Sequence, residues 1–318
     1  MTEPHNVQGT ALPGRQSPQP TPSGLGCHLT PGRPSVSPVK LATLRLGAVT
    51  SAARIEETAG EAVEVSAADV GALLAQADWP QIAAGAAGPR HSLAELDYAP
   101  LVPRPSKIIC VGQNYRSHIA EQGLQPSEYP ALFAKFSSAL AGARDDVILP
   151  LSSSHVDWEV ELAVVIGWPA HRLSEDQSLS AVAGYAVIND VSMRDWQFRT
   201  SQFLQGKTFD QATPFGPWLV TRDDPSLDEG EMNLYCEVDG DVVQDGNTSD
   251  LLFGVSTLVS YISHAMTLRP GDVIATGTPG GSGHWRKPPR YLQEGAVLVT
   301  RVSGLGECRN TCRRETAT

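Results

Sequence analysis

Asp157-Trp158-Glu159-Val160-Glu161-Leu162-Ala163-Val164-Val165-Ile166-Gly167 reads as a buried strand, bounded by Ser152-Ser153-Ser154 before it and Gly167 at its end. Side chains alternate between the two faces of a strand. Trp158, Val160 and Leu162 therefore share one face, and Glu159, Glu161, Ala163 and Val165 share the other. Two carboxylates thus stand together on a face that continues apolar. Taken alone, this pattern also describes a strand whose one end emerges into water.

A third carboxylate bears on that choice. Gly184-Tyr185-Ala186-Val187-Ile188-Asn189-Asp190 is a second short apolar run ending in Asp190, where a polar loop begins. If the two strands are neighbours, Glu159, Glu161 and Asp190 converge. Unit charges about 4 Å apart repel by about 4 kcal/mol at an effective dielectric near 20, so such a cluster must take up protons or hold a cation. Oxygen donors without His or Cys suit a hard ion such as Mg²⁺ or Mn²⁺.

The 318 residues suffice for about two domains and a sizeable core. With 24 Lys plus Arg against 35 Asp plus Glu, the formal net charge of -11 argues against nucleic acid as a partner. Five cysteines, Cys27, Cys110, Cys236, Cys308 and Cys312, show no CxxC pair and suit a reducing, cytoplasmic setting. Without a run of about 18 apolar residues, no membrane span is expected.

Residues 1–38 are rich in Pro, Gly, Ser and Thr and read as a disordered leader without the apolar core of a signal peptide. Residues 39–104 read as a small α+β domain, with strands at Leu41–Leu46 and Val63–Val65 and a helix over Ala68–Ala77. Residues 105–318 read as a β-rich α+β domain. It opens on a strand at Lys107–Gly112 and carries later strands at Pro217–Thr221, Leu234–Val238 and Asp272–Thr276. A helix is expected over Val255–Met266, and Asp239-Gly240-Asp241 predicts a hairpin turn. Between Gln113 and Gly123 lies a turn or two of helix, with His118 and Glu121 three apart on one face. A His and a carboxylate in reach of each other form a proton-transfer pair, although an exposed surface pair has the same spacing.

Two motifs fail. Gly206-Lys207-Thr208 imitates the end of a phosphate loop, but Ser201 stands where that loop needs its first Gly. Gly277–Gly283 lacks the GxGxxG spacing of a dinucleotide site and reads as a loop whose backbone approaches a ligand. HExxH and GxSxG are absent.

The stretches Val111-Gly112-Gln113-Asn114-Tyr115 through His118 and Glu121, Trp158–Leu162, Asn189–Gln197, Gln205–Asp210 and Thr276–Gly281 together resemble the fumarylacetoacetate hydrolase family, in its order, from about residue 107 to 310. The resemblance implies a mixed β-sandwich or β-roll catalytic domain in a homodimer. It implies that Glu159, Glu161 and Asp190 hold Mg²⁺ or Mn²⁺ and that His118 and Glu121 form a water-activating dyad. Lys207 matches a lysine near the metal and substrate oxygens, while Arg194, Gln197 and Thr278 match substrate contacts. The implied activity is metal-dependent hydrolysis of a C–C bond in an acylpyruvate-type β-diketo acid such as fumarylpyruvate. Oxaloacetate decarboxylation and 2-hydroxyhepta-2,4-diene-1,7-dioate isomerisation are the alternatives, and a non-catalytic metal or dicarboxylate binder is a further class. One departure is Phe136, which stands where many relatives carry Pro after the residue matching Lys135, leaving the role of Lys135 open. The loop Gly283–Arg290, with three cations, is a candidate receptor for a distal carboxylate, with solvent or a subunit contact as equal readings.

Overall fold

Val160–Ile166 forms a strand with every residue buried, and the expected alternation holds along it. Trp158, Val160, Leu162, Val164 and Ile166 enter one core, and Ala163 and Val165 enter a second core on the opposite face. This strand lies inside an eleven-stranded sheet in a computed structural model that describes residues 37–316. The leader read over residues 1–38 lies, as far as residue 36, outside the described residues.

The sheet runs in the order Arg90–Ser92, Glu61–Glu64, Val49–Glu56, Lys40–Leu46, Thr213–Thr221, Val182–Asn189, Val160–Ile166, Val273–Ala275, Ile108–Gly112, Ala131–Lys135. Leu140–Ala141 pairs off this path with Thr213–Thr221. Four strands from residues 39–104 continue the same sheet, because Lys40–Leu46 pairs antiparallel with Thr213–Thr221. A second sheet has the order Asp241–Asn247, Asn233–Val238, Val297–Val302, Gly306–Arg314, Val147–Leu149. Leu234, Leu298 and Cys308 from this sheet meet Leu162 and Val187 from the first, and Leu258 joins them from the helix Val255–Ala265. The result is a mixed β-sandwich. The other face of the large sheet is covered by Val70, Leu73 and Trp79 from two short helices.

Asn189 ties the layers together. Its Nδ2 donates to Thr300 Oγ1 at 2.9 Å and its Oδ1 accepts the Glu159 N–H at 2.9 Å. Satisfying a buried amide in this way fixes the end of the strand just before Asp190.

Several expected elements are shorter. The helix expected over Ala68–Ala77 is Val70–Leu74, because the Asp69 side chain accepts the Ala72 N–H and so sets a later start. Between Gln113 and Gly123 only Arg116–Glu121 is helical. Gln113 sits at φ 54°, and the Asn114 side chain is occupied with the backbone of Phe253 and Thr276, so the chain cannot wind earlier. The Asp239-Gly240 turn forms as expected, with φ of 55° and 85°. Cys110, Cys236, Cys308 and Cys312 are free and buried, whereas Cys27 lies outside the described residues. Among the described residues no helix is long and apolar enough to cross a membrane.

Leu162 is fully buried between the two sheets. Leu162→Ala is expected to lower the unfolding free energy by roughly 2–5 kcal/mol in urea denaturation. A loss below about 1 kcal/mol would contradict a packed core at this strand.

Candidate active site

The pairing of two strands assembles the acidic cluster. Val160 lies opposite Asn189 and Glu161 opposite Ile188, and the Asp190 N–H donates to the Glu159 carbonyl at 2.8 Å. The register therefore continues past the strand ends and sets Asp190 beside Glu159. Ligand oxygens of Glu159, Glu161 and Asp190 lie within 4.8 Å of one another. Their exposures of 5 %, 2 % and 0 % exclude a solvated rim.

Three cations answer this charge. Lys207 Nζ lies 2.6 Å from Glu159 Oε2 and 2.8 Å from Asp190 Oδ2, and Lys135 Nζ lies 2.6 Å from Asp190 Oδ1. Arg194 Nη2 forms an ion pair with Glu159 Oε1 at 2.6 Å, while its Nε donates to Asp157 Oδ2 at 2.8 Å. Burial opposes ionisation of Glu159, but Lys207 and Arg194 outweigh it and hold the carboxyl below its ordinary range. Burial likewise works against charge on Lys207, and the carboxylates of Asp190 and Glu159 reverse the effect and raise it.

Glu161 differs. Its Oε2 accepts the Gly277 N–H at 2.8 Å, and among the described residues no cation forms an ion pair with it. Burial, then Asp190 and Glu159, push its carboxyl well above the ordinary value. An all-oxygen donor set with one uncompensated buried carboxylate fits a hard divalent cation such as Mg²⁺ or Mn²⁺, and Glu159, Glu161 and Asp190 could hold one.

On the helix Arg116–Glu121, His118 Nδ1 lies 3.0 Å from Glu121 Oε2. Glu121 is held in turn by the Gly281 N–H at 3.1 Å. The pair expected from spacing therefore forms and faces a cavity of about 60 Å³. His118, Glu159, Glu161, Arg194, Gln197, Lys207 and Thr278 reach its wall. Glu121 and Asp190 stand behind His118 and Lys207 respectively.

Sequence reasoning left several partners unassigned. Asp157 accepts from Trp158 N, Gly283 N, His284 N and Arg194 Nε, and so joins the Arg194 guanidinium to the loop that carries Trp285. Gln244 donates to Thr278 Oγ1 at 2.8 Å and accepts the Val160 N–H at 3.0 Å. Lys135, whose role the Phe136 departure left open, is buried against Asp190. Only spatial folding reveals these links, since apart from the adjacent Trp158 the partners are 34 to 127 residues apart. Of the three cations in Gly283–Arg290, Arg286 donates to the Val243 carbonyl and Arg290 to Asp241, and neither these two nor Lys287 reaches the cavity wall, whereas Trp285 does. Gly206 serves packing rather than phosphate. A Cβ there would come within 2.5 Å of the Gln197 backbone, so glycine lets the turn bearing Lys207 approach the turn bearing Arg194.

A mixed sandwich with a buried acidic cluster, facing cations and an oriented histidine defines an enzyme with a small-molecule pocket. Residues 107–313 match the C-terminal domain of fumarylacetoacetate hydrolase, and the chain belongs to that family. It is 44% identical over 215 residues to the human mitochondrial oxaloacetate tautomerase FAHD2A, a match covering 67% of this chain and 68% of that one. The crystal structure of 2-hydroxyhepta-2,4-diene-1,7-dioate isomerase from Mycobacterium marinum is similar at 31% identity and a TM-score of 0.73, covering 88% of this chain and 100% of the other. Fumarylacetoacetate hydrolase from the psychrophilic Exiguobacterium antarcticum is similar at 32% identity and a TM-score of 0.75, covering 87% and 100%.

Glu161→Gln removes a buried carboxyl whose ionisation is opposed by burial, Asp190 and Glu159, while keeping an acceptor for Gly277. In metal-free protein it is expected to raise the melting temperature by about 2–4 °C, the shift that roughly 1 kcal/mol brings. The same substitution is expected to remove most of the stabilisation that saturating Mn²⁺ gives the unsubstituted protein. An undiminished Mn²⁺ response would exclude Glu161 from ion binding.

Proposed function

We propose that this chain is a divalent-metal-dependent enzyme that interconverts the keto and enol forms of a short 2-oxo dicarboxylate, with oxaloacetate as the first substrate to test. The observation that carries this reading is the cavity: about 60 Å³, with one oriented base, His118, and two cations, Arg194 and Lys207, on its wall. Two cations beside one oriented base suit a short dianionic acid. The likeness to an oxaloacetate tautomerase and to a diene-dioate isomerase supports the same reading, because both names describe proton relocation without net use of water.

Mg²⁺ or Mn²⁺ held by Glu159, Glu161 and Asp190 would supply Lewis-acid polarisation of the 2-oxo group. Arg194 and Lys207 bind the anionic substrate and face the negative charge that develops on its oxygen. Neutral His118 takes the C3 proton at Nε2. The C3–H electron pair becomes the C2–C3 π bond, and the carbonyl π pair moves to oxygen. The imidazolium then gives its proton to that oxygen, so atoms and charge balance with no water consumed. Glu121 accepts the Nδ1–H throughout and stabilises the imidazolium. Phe133, Phe198, Phe203 and Trp285 line the cavity and restrict water. A homodimer, implied by the family resemblance, belongs to the same proposal.

Hydrolysis of an acylpyruvate is the second reading. It is favoured by the His118–Glu121 pair, which could activate water, and by the likeness to a fumarylacetoacetate hydrolase. Decarboxylation of oxaloacetate would share the same developing enolate.

Chelator-stripped protein is expected to lose oxaloacetate tautomerisation and to regain it with Mg²⁺ or Mn²⁺, as followed by loss of enol absorbance. His118→Ala is expected to lower kcat by about 10²–10⁴ with a smaller change in KM. Metal-restored cleavage of an acylpyruvate to pyruvate and a free acid, without accelerated tautomerisation, would replace this reading by the hydrolase. Pyruvate and CO₂ from oxaloacetate would replace it by the decarboxylase.

A further inference from the structure

Glu121 is not the only side chain that holds His118. Gln122 closes the helix Arg116–Glu121 and turns its amide back over it, placing Nε2 2.6 Å from His118 Nε2. Gln113 approaches the far end of that amide, with its Nε2 3.4 Å from Gln122 Oε1. Both glutamines and His118 line the cavity. The nitrogen that would take the substrate proton therefore meets an amide in the resting site.

The orientation of this contact follows from the other side of the ring. An ionised Glu121 only accepts, so Nδ1 carries the hydrogen and Nε2 presents a lone pair. A lone pair needs a donor, which matches the NH₂ end of Gln122 facing it. Once Nε2 takes a proton it becomes a donor, and the same NH₂ would oppose it. The terminal torsion of a glutamine is broad and roughly two-fold, so the amide can turn its carbonyl toward the ring. One side chain can thus partner both protonation states of the base. In the resting site it also occupies the single Nε2 lone pair on which a hydrolase would hold its attacking water, and an arriving substrate C3–H displaces it there.

We infer that Gln122 is a positioning residue that partners His118 Nε2 before and after proton transfer and keeps bulk water from it, so that the site favours relocation of a substrate proton over hydrolysis. This inference rests on the tautomerase reading for its consequence, but the contact itself does not. No covalent bond forms to Gln122; the proton moves between substrate carbon, His118 Nε2 and substrate oxygen.

Gln122→Leu keeps the bulk and removes the amide, while Gln122→Glu keeps an acceptor and removes the donor. The test compares both with the unsubstituted full chain in two readouts. The first is the ¹⁵N signal of the His118 imidazole in metal-free protein, where loss of the amide donor should move the Nε2 resonance in both variants while Nδ1 stays in place. The second is Mn²⁺-loaded kinetics. For Gln122→Leu, kcat for oxaloacetate tautomerisation should fall about tenfold, the scale of one ordinary hydrogen bond, with KM within about twofold. An unmoved Nε2 resonance in Gln122→Leu would overturn the inference, as would a shifted resonance with kcat retained. If the unsubstituted enzyme tautomerises nothing but Gln122→Leu moves the resonance, the contact stands and the tautomerase reading fails. A folded Gln122→Leu variant is recognised by a histidine spectrum that changes only at His118.

Discussion

Keeping several carboxylates charged in a dry place is the constraint on which this structure depends. Glu159, Glu161, Asp190 and Asp157 are all buried, and each pair of neighbouring charges about 4 Å apart would repel by about 4 kcal/mol at an effective dielectric near 20. Lys135, Arg194 and Lys207 reach Asp190, Asp157 and Glu159 from a sheet-edge strand and two separate helical turns, and leave Glu161 without an ion pair among the described residues. Removing one member of such a network leaves a partner desolvated and unpaired, which costs more than the ion pair itself contributes. The close approach at Gly206 follows from this demand, since Lys207 must lie over Glu159 and Asp190 while Arg194 lies beside it.

The same constraint explains why the site is linked to both sheets. A carboxylate position is useful only if its backbone cannot drift, and here the backbone is held by one side chain from each sheet, Asn189 from the first and Gln244 from the second. Asn189 and Gln244 accept the N–H groups of Glu159 and Val160, and Gln244 also fixes Thr278. Asp157 extends the network outward by capping the Gly283 and His284 amides, so the loop carrying Trp285 and the guanidinium of Arg194 share one anchor.

Much of this was legible in local pattern. Alternation along Trp158–Ile166 assigned the two faces correctly, because a pleated strand leaves no other choice once one face is known to be buried. His118 and Glu121 meet because a single helical turn brings residues three apart together. Helix ends were less legible. The helix at Arg116–Glu121 starts late because Asn114 binds Phe253 and Thr276, residues well over a hundred positions away.

The chain by itself determined the carboxylate pair on one strand face, the third carboxylate at the end of another run, the spacing of the histidine pair and the failure of the nucleotide motifs. These depend on residue type and on the short periods of strand and helix, which any reader of the string can count. Only the tertiary structure decided that Lys135 is paired with Asp190, that the arginines of Gly283–Arg290 turn away from the cavity, and that Asp157 and Gln244 join the site to its surroundings. Each of those outcomes depends on which strands are neighbours and on how closely two backbones approach. Such long-range packing has no period in the sequence, and its energy is settled only when buried charges and amides find partners in three dimensions.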